Sequence, residues 1–117
     1  SLTFGLYSYY FKVIPWKVIA SNQVNKFINS CTQTQRNKII RNLFYLKEFG
    51  FTNSNPSIKK LKGTPFWEIR ILGKDSIRLF CFQKRKLIIL VIHTFYKKKQ
   101  KTPIKEIKQA LNRLNDI

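Results

Sequence analysis

The chain has 117 residues, 44% of them hydrophobic and including ten Phe, five Tyr and two Trp, which is enough apolar surface for one folded domain and too much for an intrinsically disordered chain. Its 23 Lys and Arg face only 5 Asp and Glu, a formal charge of +18 that far exceeds what solubility requires and implies a polyanionic partner: nucleic acid, an acidic protein or an anionic membrane. Two widely spaced cysteines and one histidine supply no ligand set for structural zinc, so no metal or cofactor is expected, and no run approaches the roughly 20 apolar residues that cross a bilayer.

Residues 1–15, SLTFGLYSYYFKVIP, are aromatic, nearly uncharged and closed by a proline that cannot donate to a central ladder, so they read as an edge strand or an appendage. They have neither the basic start nor the unbroken apolar run of an export signal, and a reduced, cytoplasmic protein is expected. WKVIA, 16–20, is a short β-branched strand. Ser21 is a helix N-cap, with Val24, Phe27 and Ile28 on one face of a short first helix. Thr32 or Thr34 caps a second helix that runs to about Phe49, its apolar face Ile39, Ile40, Leu43, Leu46 and Phe49, its outward residues Arg36, Lys38, Arg41 and Lys47, and its stop Gly50. Residues 51–65 carry loop punctuation.

The period then changes to two. FWEIRIL sets Trp67, Ile69 and Ile71 against Phe66, Glu68, Arg70 and Leu72. Gly73, Lys74 and Asp75 make a three-residue turn with a bulge, and SIRLFCF sets Ile77, Leu79 and Cys81 against Ser76, Arg78, Phe80 and Phe82. QKRK turns again into the continuously apolar LIILVIHTF, expected as the central strand. After Pro103, the spacing of Ile104, Ile107, Leu111 and Leu114 predicts a terminal amphipathic helix.

Pairing the hairpin so that residue numbers sum to 148 places Arg70 directly across from Arg78. Like charges in that relation repel, which makes sense where an anion sits between them; the plainer reading is a solvated face with Glu68 as diagonal partner. Lys97, Lys98, Lys99 and Lys101 leave the end of the next strand of the meander and converge on the same region, as bulk attraction or as site groups. Tyr96 either stacks on a base or packs. His93 either serves proton transfer or is a core histidine with a hydrogen-bonded nitrogen. There is no phosphate-binding glycine loop, paired carboxylate cluster or nucleophile with a matched base. What fits is metal-independent chemistry on a polyanion, and RNA cleavage suits it, because the 2′-hydroxyl is the nucleophile and the protein need only orient it and stabilise charge.

GTPFWEIRILGKDSIRLFCF followed by VIHTFYKKKQKTPIKEIKQALNR resembles the phage-derived, HigB-like branch of the RelE/ParE toxin superfamily, with its pattern L-W-E-L-R, then Y-R-[VI]-[FL]-Y, then H-x-F-x-K-K-T-x-K-T-P-x-x-E-I-x-x-A. The likeness extends back through IKKLKG and RNKIIRNLFYLKEFG and covers about residues 16–116, leaving 1–15 as an extension outside a single toxin domain of 16–117. It implies an α+β fold in which two N-terminal helices pack on a small antiparallel sheet, with a short C-terminal helix. It implies the toxin of a type II toxin–antitoxin system, an mRNA-cleaving endoribonuclease that works on the ribosome and is neutralised by a small antitoxin, often of helix-turn-helix type. By the resemblance, Arg70, Arg78 and Lys98 hold the phosphate and stabilise charge, Lys97 and His93 match motif positions, and Lys59, Lys60, Lys62, Tyr96, Lys99 and Lys101 are the expected RNA contacts. Three departures stand out: Phe80, Cys81 and Phe82 lack the usual tyrosine, Lys99 replaces a threonine, and Glu68 occupies a position where some ribosome-dependent relatives carry a lysine. A gyrase-inhibiting member of the superfamily and a non-catalytic RNA or DNA binder are the alternatives.

Overall fold

The computed structural model describes residues 16–52, 55–73, 76–98 and 100–116. The expectations for residues 1–15, for the Lys74–Asp75 turn and for Lys99 lie outside the described residues.

Strand β1 (Lys17–Ala20) leads into helix α1 (Asn22–Ser30) and helix α2 (Gln33–Phe49), followed by β2 (Ile58–Lys60), β3 (Trp67–Ile71), β4 (Ile77–Arg85), β5 (Ile88–Tyr96) and helix α3 (Ile104–Asn115). Both N-terminal helices start where the sequence predicts. The Ser21 hydroxyl accepts from the Val24 amide at 3.3 Å. Thr32, rather than Thr34, caps α2 through a reciprocal box with Gln35: the Gln35 amide donates to Thr32 Oγ1 (3.2 Å) and the Thr32 amide to Gln35 Oε1 (2.9 Å). Arg36, expected to look outward, instead donates to the carbonyls of Ile28, Asn29 and Cys31, where it neutralises the negative end of α1.

The sheet order is β1-β5-β4-β3-β2. The meander from β2 to β5 is antiparallel, and the β3/β4 register is the one in which paired numbers sum to 148, with Arg70 opposite Arg78. Three features differ from expectation. β1 pairs in parallel with β5, Lys17 opposite Ile88, so the sheet is mixed rather than purely antiparallel. Residues 58–60, assigned to a loop, form a short edge strand on β3. β4 runs on through Gln83 to Arg85, and the reversal is confined to Lys86 and Leu87, the latter at φ 65°.

The sheet is covered on both faces, which explains the unbroken apolar run of β5. One face, with Ile69, Ile71, Ile77, Leu79, Cys81, Ile89 and Val91, takes Val24 of α1 and Ile39 and Leu46 of α2. Ile40 and Phe49, counted with that face of α2, are exposed, because the helix rests on the sheet along the narrower line of Ile39, Leu43 and Leu46. The other face, with Phe66, Phe80, Leu90, Ile92 and Phe95, takes Ala110, Ile107, Leu111 and Leu114 of α3; Ile104 points to solvent. Cys31 and Cys81 are both buried, and neither forms a disulfide. Among the described residues no helix is long and apolar enough to cross a membrane.

Gly50 ends α2 at φ 67°, and a Cβ there would sit 2.6 Å from the Trp16 ring. Gly50→Ala is therefore expected to lower stability by about 1–3 kcal/mol, measured as a shift in urea midpoint. Thr32→Ala, which removes one half of the capping box, is expected to cost about 1 kcal/mol.

Candidate functional site

Cross-strand partners share a face, so the register that opposes Arg70 and Arg78 puts both on the α3 side of the sheet, with Lys59, Glu68 and Phe80 aligned in the neighbouring row. Glu68 is 1% exposed and lies between the two arginines: its Oε1 is 3.5 Å from Arg78 Nε and 3.8 Å from Arg70 Nε. Its other oxygen, Oε2, accepts from the Thr102 hydroxyl at 2.6 Å. The anion that the arginine pair requires is thus present inside the chain, as a carboxylate one row away. The fit is electrostatic rather than hydrogen-bonded, because both Nε groups are buried without a hydrogen-bond partner. Arg78 also donates from Nη1 to the Ile77 carbonyl (3.1 Å). Burial lowers its pKa, Glu68 opposes that shift, and Arg70 adds to it. Two guanidinium groups with unspent N–H donors, aimed at one anionic position, form an oxyanion-binding arrangement.

The Thr102 contact also places the lysine run. It ties the end of the segment that follows β5 to Glu68, so Thr102 lies beside the arginine pair. Lys97 is one residue past the strand yet still donates its amide to the Ser76 carbonyl (2.9 Å); the ladder's alternation therefore puts it on the side of Arg78 and Phe95. Lys98 and Lys101 are exposed on the same segment.

The other expected residues divide. Lys59, opposite Glu68, stands on the site face. Lys62 is exposed in the turn before β3. Lys60 does not face the site: its ammonium donates to the carbonyls of Leu61 and Thr64, closing its own turn. Tyr96 pairs with Ile77 on the helix side of the sheet and packs against Phe27 with centroids 5.1 Å apart, which turns it away from the arginines.

His93 needs a larger correction. A register jump between Phe80 opposite His93 and Cys81 opposite Val91 leaves Ile92 as an extra residue in β5, so that Ile92 and His93 both meet the α3 side. His93 is 2% exposed and is held at both ring nitrogens, Nε2 against Glu106 Oε1 (3.0 Å) and Nδ1 against Arg113 Nη1 (2.5 Å). A guanidinium can only donate, so Nδ1 is the acceptor and Nε2 carries the proton toward the carboxylate. Burial lowers the pKa, the Glu106 hydrogen bond opposes, and the Arg113 charge adds to the lowering. The imidazole is a clasp between β5 and α3 rather than an acid or base open to substrate. Reading the sequence assigned no role to Thr102, Glu106 or Arg113; the T-P-x-x-E stretch that holds Thr102 and Glu106 was the available signal, and Arg113 had none.

The family model described as "Phage derived protein Gp49-like (DUF891)" matches residues 26–115. Among solved structures, the chain resembles a double arginine-to-alanine mutant of the E. coli toxin RelE in the free state, at 18% identity and a TM-score of 0.66 over 86% of this chain and 99% of that one. It resembles a chain of the intact E. coli RelBE toxin–antitoxin complex at 20% identity and a TM-score of 0.59, over 72% of this chain and 99% of that one. The isolated E. coli RelE toxin aligns at 19% identity and 0.58, over 85% and 98%. At such identities the likeness is one of fold. No curated protein sequence matches the chain significantly.

The internal counterion yields a stability prediction. Glu68→Gln leaves two facing guanidinium groups without an anion and is expected to destabilise the fold by about 1–3 kcal/mol, with part of the loss restored by added inorganic phosphate; urea midpoints with and without phosphate measure both. His93 gives a second. Its folded pKa lies below the ordinary 6.5, so the unfolded chain takes up more protons as pH falls. This contribution is complete above about pH 6.5 and is lost below it. Urea titrations from pH 8 to 5 should show that loss, and His93→Gln should flatten it.

Proposed function

The chain belongs to the phage-derived Gp49-like protein family and has the RelE fold, and from that premise we propose that it is the toxin of a type II toxin–antitoxin system and acts as a metal-independent endoribonuclease on mRNA. Ribosome-bound mRNA in the cytoplasm is the substrate of this reading, and a small cognate antitoxin of helix-turn-helix type is its partner. A toxin–antitoxin partnership is supported by the likeness to a chain of the RelBE complex. The nuclease reading is carried by one observation: Arg70 and Arg78 face each other across the β3/β4 hairpin with unpaired Nε–H groups.

In this reading a phosphodiester takes over the counterion role of Glu68. Arg70 and Arg78 hold its non-bridging oxygens, and Lys97 and Lys98 meet the charge that develops on the phosphorane. The 2′-oxygen bonds to phosphorus as the bond to the 5′-oxygen breaks, leaving a 2′,3′-cyclic phosphate and a 5′-hydroxyl. His93 and Glu68 are both enclosed, so the proton of the 2′-hydroxyl passes to water. Water then supplies the proton to the departing 5′-oxygen.

A second reading, a non-catalytic RNA binder, is favoured by the same carboxylate: Glu68 neutralises the arginines at rest and is fixed by Thr102. RNA that survives incubation while its affinity falls steeply with salt identifies that case.

Inducing the chain alone is expected to arrest growth and create new mRNA 5′ ends, mapped by end sequencing. Arg70→Ala combined with Arg78→Ala should lower cleavage at least about 100-fold while much of the bulk attraction to RNA remains. Glu68→Gln, which removes the competing carboxylate, should bind RNA more tightly; an affinity equal to wild type removes the counterion role.

A further inference from the structure

β2 is only three residues long, and just before it the Ser57 carbonyl accepts from the Arg70 amide of β3 at 2.8 Å. Helix α2 passes above this stretch. Between them lies a cleft of about 280 Å³ lined by Lys38, Arg41, Asn42, Ser57, Arg70 and Leu72. Three of its six lining residues are cations and none is a carboxylate. Among the described residues neither Lys38 nor Arg41 has an acidic partner; the Lys38 ammonium rests on the Leu72 carbonyl at 3.2 Å, a dipole that orients the charge without cancelling it. Arg70 joins the cleft to the arginine pair. Its Nε is turned to Glu68, while its side chain, 36% exposed, borders the cleft.

We propose that this edge cleft is a second phosphate-binding site, in which Lys38 and Arg41 hold a backbone phosphate of a single-stranded RNA that flanks the one at Arg70 and Arg78. The inference rests on the RNA reading above and deepens it by giving the strand a direction: from the lysine segment, across the arginine pair, and over the end of β3 toward α2. Its contribution is positioning. A cationic cleft without carboxylates attracts any phosphodiester regardless of base, and it fixes the register of the strand at the neighbouring pair.

The test uses the full chain and a short single-stranded RNA carrying 2′-O-methyl groups throughout, so that binding is read without cutting. Lys38→Gln combined with Arg41→Gln should weaken binding about tenfold and make the dependence of log affinity on log salt shallower by about 0.7, the contribution of one single-strand phosphate. Arg41→Gln alone, at an exposed position, should show the same direction of change with an unaltered melting temperature, which separates lost contact from lost fold. Affinity and slope equal to wild type in both variants would overturn the proposal. So would a double variant that loses affinity for a polyglutamate peptide and keeps it for RNA, since the cleft would then serve an acidic protein. Cleavage of unmodified RNA is scored separately. Wild type that cuts while the slope stays fixed removes the cleft alone; wild type that never cuts, with the slope shifting as described, removes the nuclease reading and leaves the cleft.

Discussion

The site is organised by the repulsion between two guanidinium groups that the hairpin register forces together. Ile69, Ile71, Ile77 and Leu79 must all face α1 and α2, and a one-residue slip of either strand would turn its isoleucines and leucines to the opposite face. The hydrophobic pattern therefore pins Arg70 opposite Arg78 with no freedom to separate. A carboxylate one row away relieves the conflict, and because Glu68 is buried it does so in a medium where charges are felt strongly. The pair is thus poised: satisfied enough to fold, yet with both Nε–H groups still unpaired.

A second consequence is that the site and the C-terminal helix are mechanically joined. Thr102 reaches Glu68 just before α3 begins, and His93 bridges Glu106 and Arg113 along α3 itself. The helix covers Phe66, Phe80 and Phe95 beside the charged row, so the apolar packing that secures α3 also shields Glu68 from water on that side. Displacing Glu68 from the arginines strains the Thr102 tie first.

Much of this was legible from the chain. Alternation of apolar residues in β3 and β4 sufficed for the register, and hence for the arginine pair, because both strands are long enough to show a period and are joined by a short turn. Capping chemistry located α1 and α2. The edge strand Ile58–Lys60 escaped because three residues, two of them lysines, carry no period. The parallel pairing of β1 escaped because its partner is remote and nothing local encodes it. The fate of His93 turned on a one-residue bulge and on two partners in α3, and a bulge leaves no trace in a continuously apolar run. Tyr96 and Lys60 were misplaced for a simpler reason: the side they occupy follows from register, and at strand ends composition suggested a role that the pleat does not permit.

The parallel contact of β1 with β5 bears on how the protein comes into being. Lys17 meets Ile88, about 70 positions later, so the first strand has no ladder to join until β5 has been synthesised. The arginine hairpin is likewise finished late, and Glu106 and Arg113 later still. A nascent chain therefore has no facing arginine pair until Arg78 has been made, and the ties from Thr102, Glu106 and Arg113 can form only afterwards.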